Sequence, residues 1–503
     1  MQKNVLEWLE KTAEIYPDKI AFEDTENSVT FSEVLVAARS TGTALSAYTS
    51  PCRPVAVLSG RHVHTPEVFL GVVYAGCFYA PLDGGMPDYR LNQIIGILKP
   101  EIIVADRDNY ERAKSIAPEC RILVSEEIAQ TEADDEKLAQ IRRSAKITDP
   151  LYVIFTSGSS GIPKGVITSQ QSLMCYIEAY DKVMNITADD VLGNQSPLDY
   201  IAAIRDIYLP LKNGASMFII PKQCFAIPTK LFDILNDKKI TAIGWSVSAL
   251  TVPTAMGVFK YSSPQYLKKV CFSGSVMPCK YLKVWQENLP DALFVNQYGP
   301  TEATASCTYY VIENKVEDDD TLPIGIPYEN YTVFLLNEDD TATPQGSLGE
   351  ICVSGPILAL GYYNDPVRTA ASFIQNPLNS CYGELIYKTG DLGLMREDGI
   401  LEFHGRKDRQ IKHLGHRVEL DEIEEAVKTV ENVSECLAVY NQQKEQIMLL
   451  YTGEATAKEI ALEIRKKLPE FMLPRKTLKL EEMPRLPNGK IDMQTIKENY
   501  INK

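Results

Sequence analysis

The stretch Tyr152-Val-Ile-Phe-Thr156-Ser157-Gly158-Ser159-Ser160-Gly161-Ile-Pro163-Lys164-Gly165 decides how the chain is read. An apolar run with the length and make-up of a buried strand passes directly into small hydroxyl residues and glycines that end on a lysine. Glycine lets the backbone take positive φ and approach a ligand closely. Successive backbone N–H groups can then form a concave anion site. The hydroxyls add donors and Lys164 adds a point charge. The G-x-x-x-x-G-K-[ST] spacing does not fit, because Gly165 follows the lysine. The stretch reads as a phosphate loop of another type; a solvated linker rarely follows so apolar a strand.

Outward from the loop, short apolar runs alternate with helical patterns. Val55–Ser59, Glu101–Ala105 and Leu151–Phe155 read as buried strands, and Pro66–Ala75 and Asp88–Leu98 as helices. Ala215–Ile220, Ala242–Ser246 and Lys269–Phe272 continue the alternation, which predicts parallel sheets covered on both faces. From about Pro323 to His404 the pattern changes to short alternating runs between turn residues: Tyr331–Leu336, Gly349–Ser354 and Leu401–His404. That predicts an antiparallel, barrel-like unit. Beyond Gly405, helices are expected at Asp421–Val430 and Thr456–Lys467, enough for a small α+β domain.

The bulk numbers narrow the function classes. The chain has 503 residues and a net charge of −16, which argues against general nucleic-acid binding. Residues 405–503 hold 18 Lys+Arg against 17 Asp+Glu, a net of +1, so the rest carries −17. No run approaches the ~18 apolar residues of a membrane span, and charges interrupt the N-terminal apolar residues, so a cytoplasmic protein is expected. The eleven cysteines are scattered and read as reduced thiols. His62 and His64 have no third ligand nearby in sequence.

Four further motifs carry chemistry. In Asn296-Gln297-Tyr298-Gly299-Pro300-Thr301-Glu302 a tyrosine can stack on a base, Thr301 can meet a phosphate oxygen, and Glu302 can hold Mg²⁺. In Tyr387-Lys388-Thr389-Gly390-Asp391 a carboxylate suits the two hydroxyls of a ribose. A charged segment runs from Gly405-Arg406-Lys407-Asp408-Arg409 to Glu424, and Pro487-Asn488-Gly489-Lys490 puts a cation after an N-G turn.

In this order the motifs resemble the superfamily of acyl-CoA synthetases, luciferases and nonribosomal peptide synthetase adenylation domains. The resemblance takes in Thr30-Phe31-Ser32-Glu33, Tyr79–Asp83 and Gly349–Gly355, and its style is that of the amino-acid adenylation branch. It implies an α/β fold: a large N-terminal domain, residues 1–407, of two helix-covered sheets and a distorted β-barrel, and a small mobile α+β domain, residues 408–503. It implies ATP and Mg²⁺ as cofactors. Thr156, Ser157, Gly158, Ser159, Ser160, Gly161 and Lys164 would hold the phosphates. Gln297, Tyr298, Gly299 and Thr301 would line the nucleotide site, with Tyr298 against adenine. Glu302 would ligate the metal, Asp391 would hold the ribose, and Arg406 the ribose or phosphate. Lys490 would bridge carboxylate and α-phosphate in adenylate formation, and Asp408 would be the hinge of a rotation that opens a route for a thiol.

The sequence departs from the family where substrate is chosen. Amino-acid-activating members carry a phenylalanine–aspartate pair whose aspartate grips the α-ammonium. The gapless register puts Tyr200-Ile201 there and removes the carboxylate; a two-residue shift would supply Asp199 instead. By the same carry-over the acid pocket is expected from Tyr200, Ile201, Ala202, Arg205, Gly244, Cys271, Ser273, Gln297, Ala305 and Ser306, with Trp245 beside it. An apolar residue at 201 suits an acid without an α-ammonium, such as an aryl or aminobenzoic acid. The other readings are a standard or D-amino acid, an acid–CoA ligase, a luciferase-type oxygenase and, from another class, an ATP phosphotransferase. Thirteen residues follow Lys490, so the thiol is expected from a separate phosphopantetheine carrier protein or from coenzyme A.

Overall fold

A computed structural model gives the fold and describes residues 4–158, 161–442, 444–486 and 491–501. The chain divides into two compact units. The first holds Met1–Gly84, Ile97–Phe155 and Gly165–Lys407; the second holds Gly85–Gly96, Thr156–Lys164 and Asp408–Lys503.

Strands of the first unit are, in chain order, β1 (Ile20–Glu23), β2 (Ser28–Thr30), β3 (Pro54–Ser59), β4 (Phe78–Asp83), β5 (Ile102–Ala105), β6 (Arg121–Val124) and β7 (Pro150–Thr156). There follow β8 (Lys164–Ser169), β9 (Val191–Asn194), β10 (Ser216–Ile219), β11 (Ala242–Ser246), β12 (Lys269–Ser273), β13 (Leu293–Tyr298), β14 (Thr308–Val311) and β15 (Ile326–Pro327). The last are β16 (Thr332–Leu336), β17 (Leu348–Ser354), β18 (Gly361–Tyr362), β19 (Phe373–Gln375), β20 (Leu385–Met395) and β21 (Leu401–Arg406).

Among the described residues these form three sheets. One runs β18-β8-β7-β4-β3-β5-β6, a second β15-β14-β13-β12-β11-β9-β10-β1-β2, and a third β16-β17-β20-β19 with β21 on β20. β7, β4, β3, β5 and β6 are parallel neighbours, as are β10, β9, β11, β12 and β13. Parallel strands need crossover connections and are covered on both faces, so they read as continuous apolar runs. Leu151, Tyr152, Val153 and Ile154 on β7 are accordingly at most 1 % exposed. The barrel-like segment is the antiparallel third sheet.

In the second unit β22 (Gln410–His413) and β23 (His416–Glu419) make a ribbon. β24 (Val433–Asn441), β25 (Gln446–Gly453) and β26 (Lys476–Lys479) make a mixed sheet. Ile423 and Val427 of the helix Leu420–Lys428 share one apolar core with Ile460 and Ile464 of the helix Ala457–Arg465. Both helices are shorter than the periodicity predicts. Thr456 is a cap rather than a helical residue, its hydroxyl taking the Glu459 N–H while the Glu459 carboxylate takes the Thr456 N–H.

Candidate active site

Two neighbouring strands bring the nucleotide motifs of the first unit together. β20 and β21 pair with Asp391 opposite Arg406. The Asp391 carboxylate accepts from the Tyr298 hydroxyl at 2.5 Å and, through its other oxygen, from the Arg406 guanidinium. Asp391 is 4 % exposed and Tyr298 6 %. The Thr389 hydroxyl donates to the Ile351 carbonyl and accepts from the Asp391 N–H at 3.0 Å, which fixes the turn that presents the carboxylate. Burial and the adjacent carboxylate push the Tyr298 phenol far above its ordinary range, so it stays a donor. A carboxylate offers about four acceptor positions, so two bonds within the protein leave it able to receive ribose hydroxyls.

Glu302 is fully buried in the short turn Thr301–Ala303, and one of its oxygens accepts from the Tyr362 hydroxyl at 2.7 Å. Tyr362 had no sequence signal; it follows a glycine in a two-residue strand. Beyond the turn Thr304 and Ala305 both take positive φ, 46° and 76°. That conformation is unusual for a β-branched residue, and the Thr304 hydroxyl holds it by donating to the Ile357 carbonyl at 2.6 Å.

The phosphate loop belongs to the second unit. Thr156, at the end of β7, is buried, and its hydroxyl has no hydrogen-bond partner among the described residues. Buried polar groups are nearly always paired, so this hydroxyl has unused capacity to meet a ligand oxygen. The Ser157 hydroxyl donates to the Arg417 carbonyl at 2.7 Å. Gly161, at φ 74°, closes a turn by donating its N–H to the Gly158 carbonyl at 2.9 Å. Lys164 opens β8. Ser159, Ser160 and Lys490 lie outside the described residues.

Strand register brings several of the residues expected for the acid pocket onto one sheet face. Gly244 pairs with Cys271, and Ser273 pairs with Gln297. Side chains alternate along a strand, so these positions share one face of the sheet. Gln297 donates to the Tyr328 hydroxyl and accepts from the Ser306 hydroxyl at 3.3 Å. The helix Ala203–Asn213 adds Arg205, which donates to the Gly244 carbonyl. Tyr200 and Ala202 lie in the turn before that helix, with Ile201 buried between them.

Two placements differ from the sequence reading. Trp245 faces the opposite side of β11: it donates to the Gly193 carbonyl and packs edge-on against Phe225. The alternation that puts Gly244 on the pocket face requires this. From sequence, Arg205 is expected to turn away and pair with Asp199 or Asp206, but Asp199 lines a separate small pocket with Asp83 and Arg61. Tyr176 and Tyr180, neighbours of Arg205 and Cys271, were missed. Their spacing of four on the helix Gln170–Met184 was the available signal.

A family model described as AMP-binding enzyme matches residues 9–363. Tyrocidine synthase 1 of Brevibacillus parabrevis is 28% identical over 502 residues, which make up 99% of this chain and 45% of that protein. The chain thus spans less than half the length of that relative. The D-alanine--D-alanyl carrier protein ligase of Bacillus cytotoxicus is 29% identical over 515 residues, 98% of each chain. The adenylation domain AlmE of Vibrio cholerae, solved with glycyl-adenosine-5'-phosphate, superposes with a TM-score of 0.86 at 21% identity, covering 100% of this chain and 98% of that one. With more than half of its length matched by the family model, this chain belongs to the AMP-binding enzyme family.

Proposed function

We propose that this protein uses ATP to convert a carboxylic acid to an acyl-adenylate, releasing pyrophosphate, and passes the acyl group to the phosphopantetheine thiol of a separate carrier protein. The observation that carries the reading is the buried Asp391 carboxylate, fixed by Tyr298 and Arg406. Asp391 holds the ribose hydroxyls, the Tyr298 ring lies against adenine, and the orphan Thr156 hydroxyl takes a phosphate oxygen. Glu302 supplies one hard oxygen ligand, which suits Mg²⁺, an ion that takes its remaining oxygens from phosphates and water. When bound, that ion supplies positive charge to the leaving pyrophosphate.

The attacking carboxylate and the α-phosphate are both anions, so the rate depends on positioning and on cations that spread the developing charge. Lys490 fills that role in the first step. The segment from Asp408 onward is a mobile lid with Asp408 as hinge, residues 1–407 being the core. Similarity to a ligase named for its carrier protein supports a carrier as acceptor; coenzyme A is the other acceptor of the right chemistry.

An acid without an α-ammonium, with aryl acids foremost, fits the gapless register. Ile201 is buried and apolar, and the carboxylate of the rival register, Asp199, lines another pocket. Burying an unpaired ammonium costs several kcal/mol, roughly a thousandfold in selectivity. Exchange of labelled pyrophosphate into ATP over a panel of aryl, hydroxy and amino acids tests this. The reading expects aryl-acid-dependent exchange; exchange with α-amino acids alone would overturn the substrate assignment.

A further inference from the structure

The turn that presents Asp391 is tied to a second place in the chain. β17 and β20 pair Cys352 with Lys388 and Glu350 with Leu392, so β20 passes through Thr389, Gly390 and Asp391 while β17 has only Ile351. The extra residues bulge from the ladder, and the Gly390 N–H turns to a side chain instead, donating to one Glu350 oxygen at 2.9 Å. The other Glu350 oxygen accepts from the Lys407 ammonium at 3.2 Å. It also lies 3.5 Å from the Lys388 ammonium, whose closer partner is Asp340 at 2.6 Å. In the main chain the Lys407 N–H donates to the Gly390 carbonyl at 2.9 Å. One carboxylate, 8 % exposed, therefore holds both the Asp391 turn and Lys407. Lys407 is the last residue of the first unit, and the second resumes at Asp408.

We infer that Glu350 is a positioning residue: through Lys407 it anchors the core side of the hinge to the turn that presents Asp391. The inference rests on the hinge reading above and deepens it. A backbone pivot is only as well defined as the residue before it. With Lys407 held by main chain and side chain, rotation is confined to the bonds at Asp408. With the side chain released, residues 406 and 407 share in the turn. The orientations then multiply, and each productive one is less populated. Removing either partner leaves no lone buried charge. Without Lys407, Glu350 keeps Lys388; without the Glu350 charge, Lys388 keeps Asp340, and Lys407, 34 % exposed, reaches water.

Glu350→Gln and Lys407→Met, singly and together, test it. Glutamine still offers an oxygen to the Gly390 N–H, so the Asp391 turn is kept. The assays are pyrophosphate exchange with the most active acid of the panel above and acyl transfer to pantetheine. Each single variant should lower kcat in both by about three- to tenfold, the worth of a charged hydrogen bond discounted for the exposure of Lys407. KM for ATP should stay within about twofold of wild type, because nucleotide binding is not what is lost. The double variant should be no worse than either single one, since both remove one contact. An arginine-specific protease should cut at Arg406 and Arg409 faster in all three variants than in wild type. Should Glu350→Gln fail to fold, Lys407→Met carries the same readouts. A raised KM for ATP with kcat and hinge cleavage unchanged would make Glu350 a prop of the Asp391 turn alone and overturn the inference, as would additive losses in the double variant. Asp408→Pro tells this failure from failure of the hinge reading. Loss of one half-reaction with the other retained keeps the hinge whatever Glu350 does. Both half-reactions at wild-type rates would remove the hinge, and the inference with it.

Discussion

Asp199 and Arg205 sit six residues apart and behave differently. Asp199 shares its small pocket with Asp83 and Arg61, and burial together with the Asp83 charge pushes its carboxyl up to about 7. A raised carboxyl pKa means that the folded protein binds the proton more tightly than the unfolded chain. The stability this contributes is complete below the ordinary value near 4 and is lost as pH rises through about 7. Asp199→Asn mimics the protonated form, so its melting temperature should exceed that of wild type at about pH 8, with the gap closing by about pH 5. The order of acids in pyrophosphate exchange should not change. A changed order would put Asp199 at the amine position after all. For Arg205, sequence predicts a side chain turned away to pair with Asp199 or Asp206. Asp206 is indeed 3.6 Å away, but the guanidinium lies on Gly244. Only the three-dimensional closeness of a helix and a strand reveals that a glycine makes room for an arginine.

Elements were legible where one period dominates. β3, β5, β7, β11 and β12 fall within a residue or two of the apolar runs that predict them, because a parallel strand buried on both faces has little freedom in composition. The face each residue presents was legible too, once the register was known: Gly244 and Trp245 must point apart. What sequence could not show is which strands are neighbours. The pairing of β20 with β21 joins Asp391 to Arg406, and no local pattern encodes it. At the end of β7 the orphan Thr156 hydroxyl makes a prediction. Thr156→Val removes a buried oxygen that has no hydrogen-bond partner among the described residues, so the melting temperature should stay level or rise. Exchange should nevertheless fall about 10- to 100-fold through the lost phosphate contact. Loss of stability together with activity would make the hydroxyl structural instead.

At the scale of the molecule the proposal separates two half-reactions. Lys490 stands for the first, as the cation between two anions. Lys490→Ala should cut adenylate formation by about a hundredfold or more, the usual cost of losing one preorganised charge contact at the reacting centre. Transfer from pre-made adenylate to carrier thiol should stay within about threefold of wild type; an equal fall in both steps would remove the lid reading. The charge imbalance between the acidic body and the near-neutral C-terminal stretch points to the latter for an acidic carrier. There the exposed Lys466, at the C-terminal end of a helix, is already paired with Glu463, so any steering is modest and screened by salt. The central claim, adenylate formation, is tested most directly by the nucleotide product. Incubation with ATP, Mg²⁺, an aryl acid and hydroxylamine should yield AMP and pyrophosphate in step with acyl hydroxamate. Acid-dependent formation of ADP and phosphate, with no AMP, would contradict it.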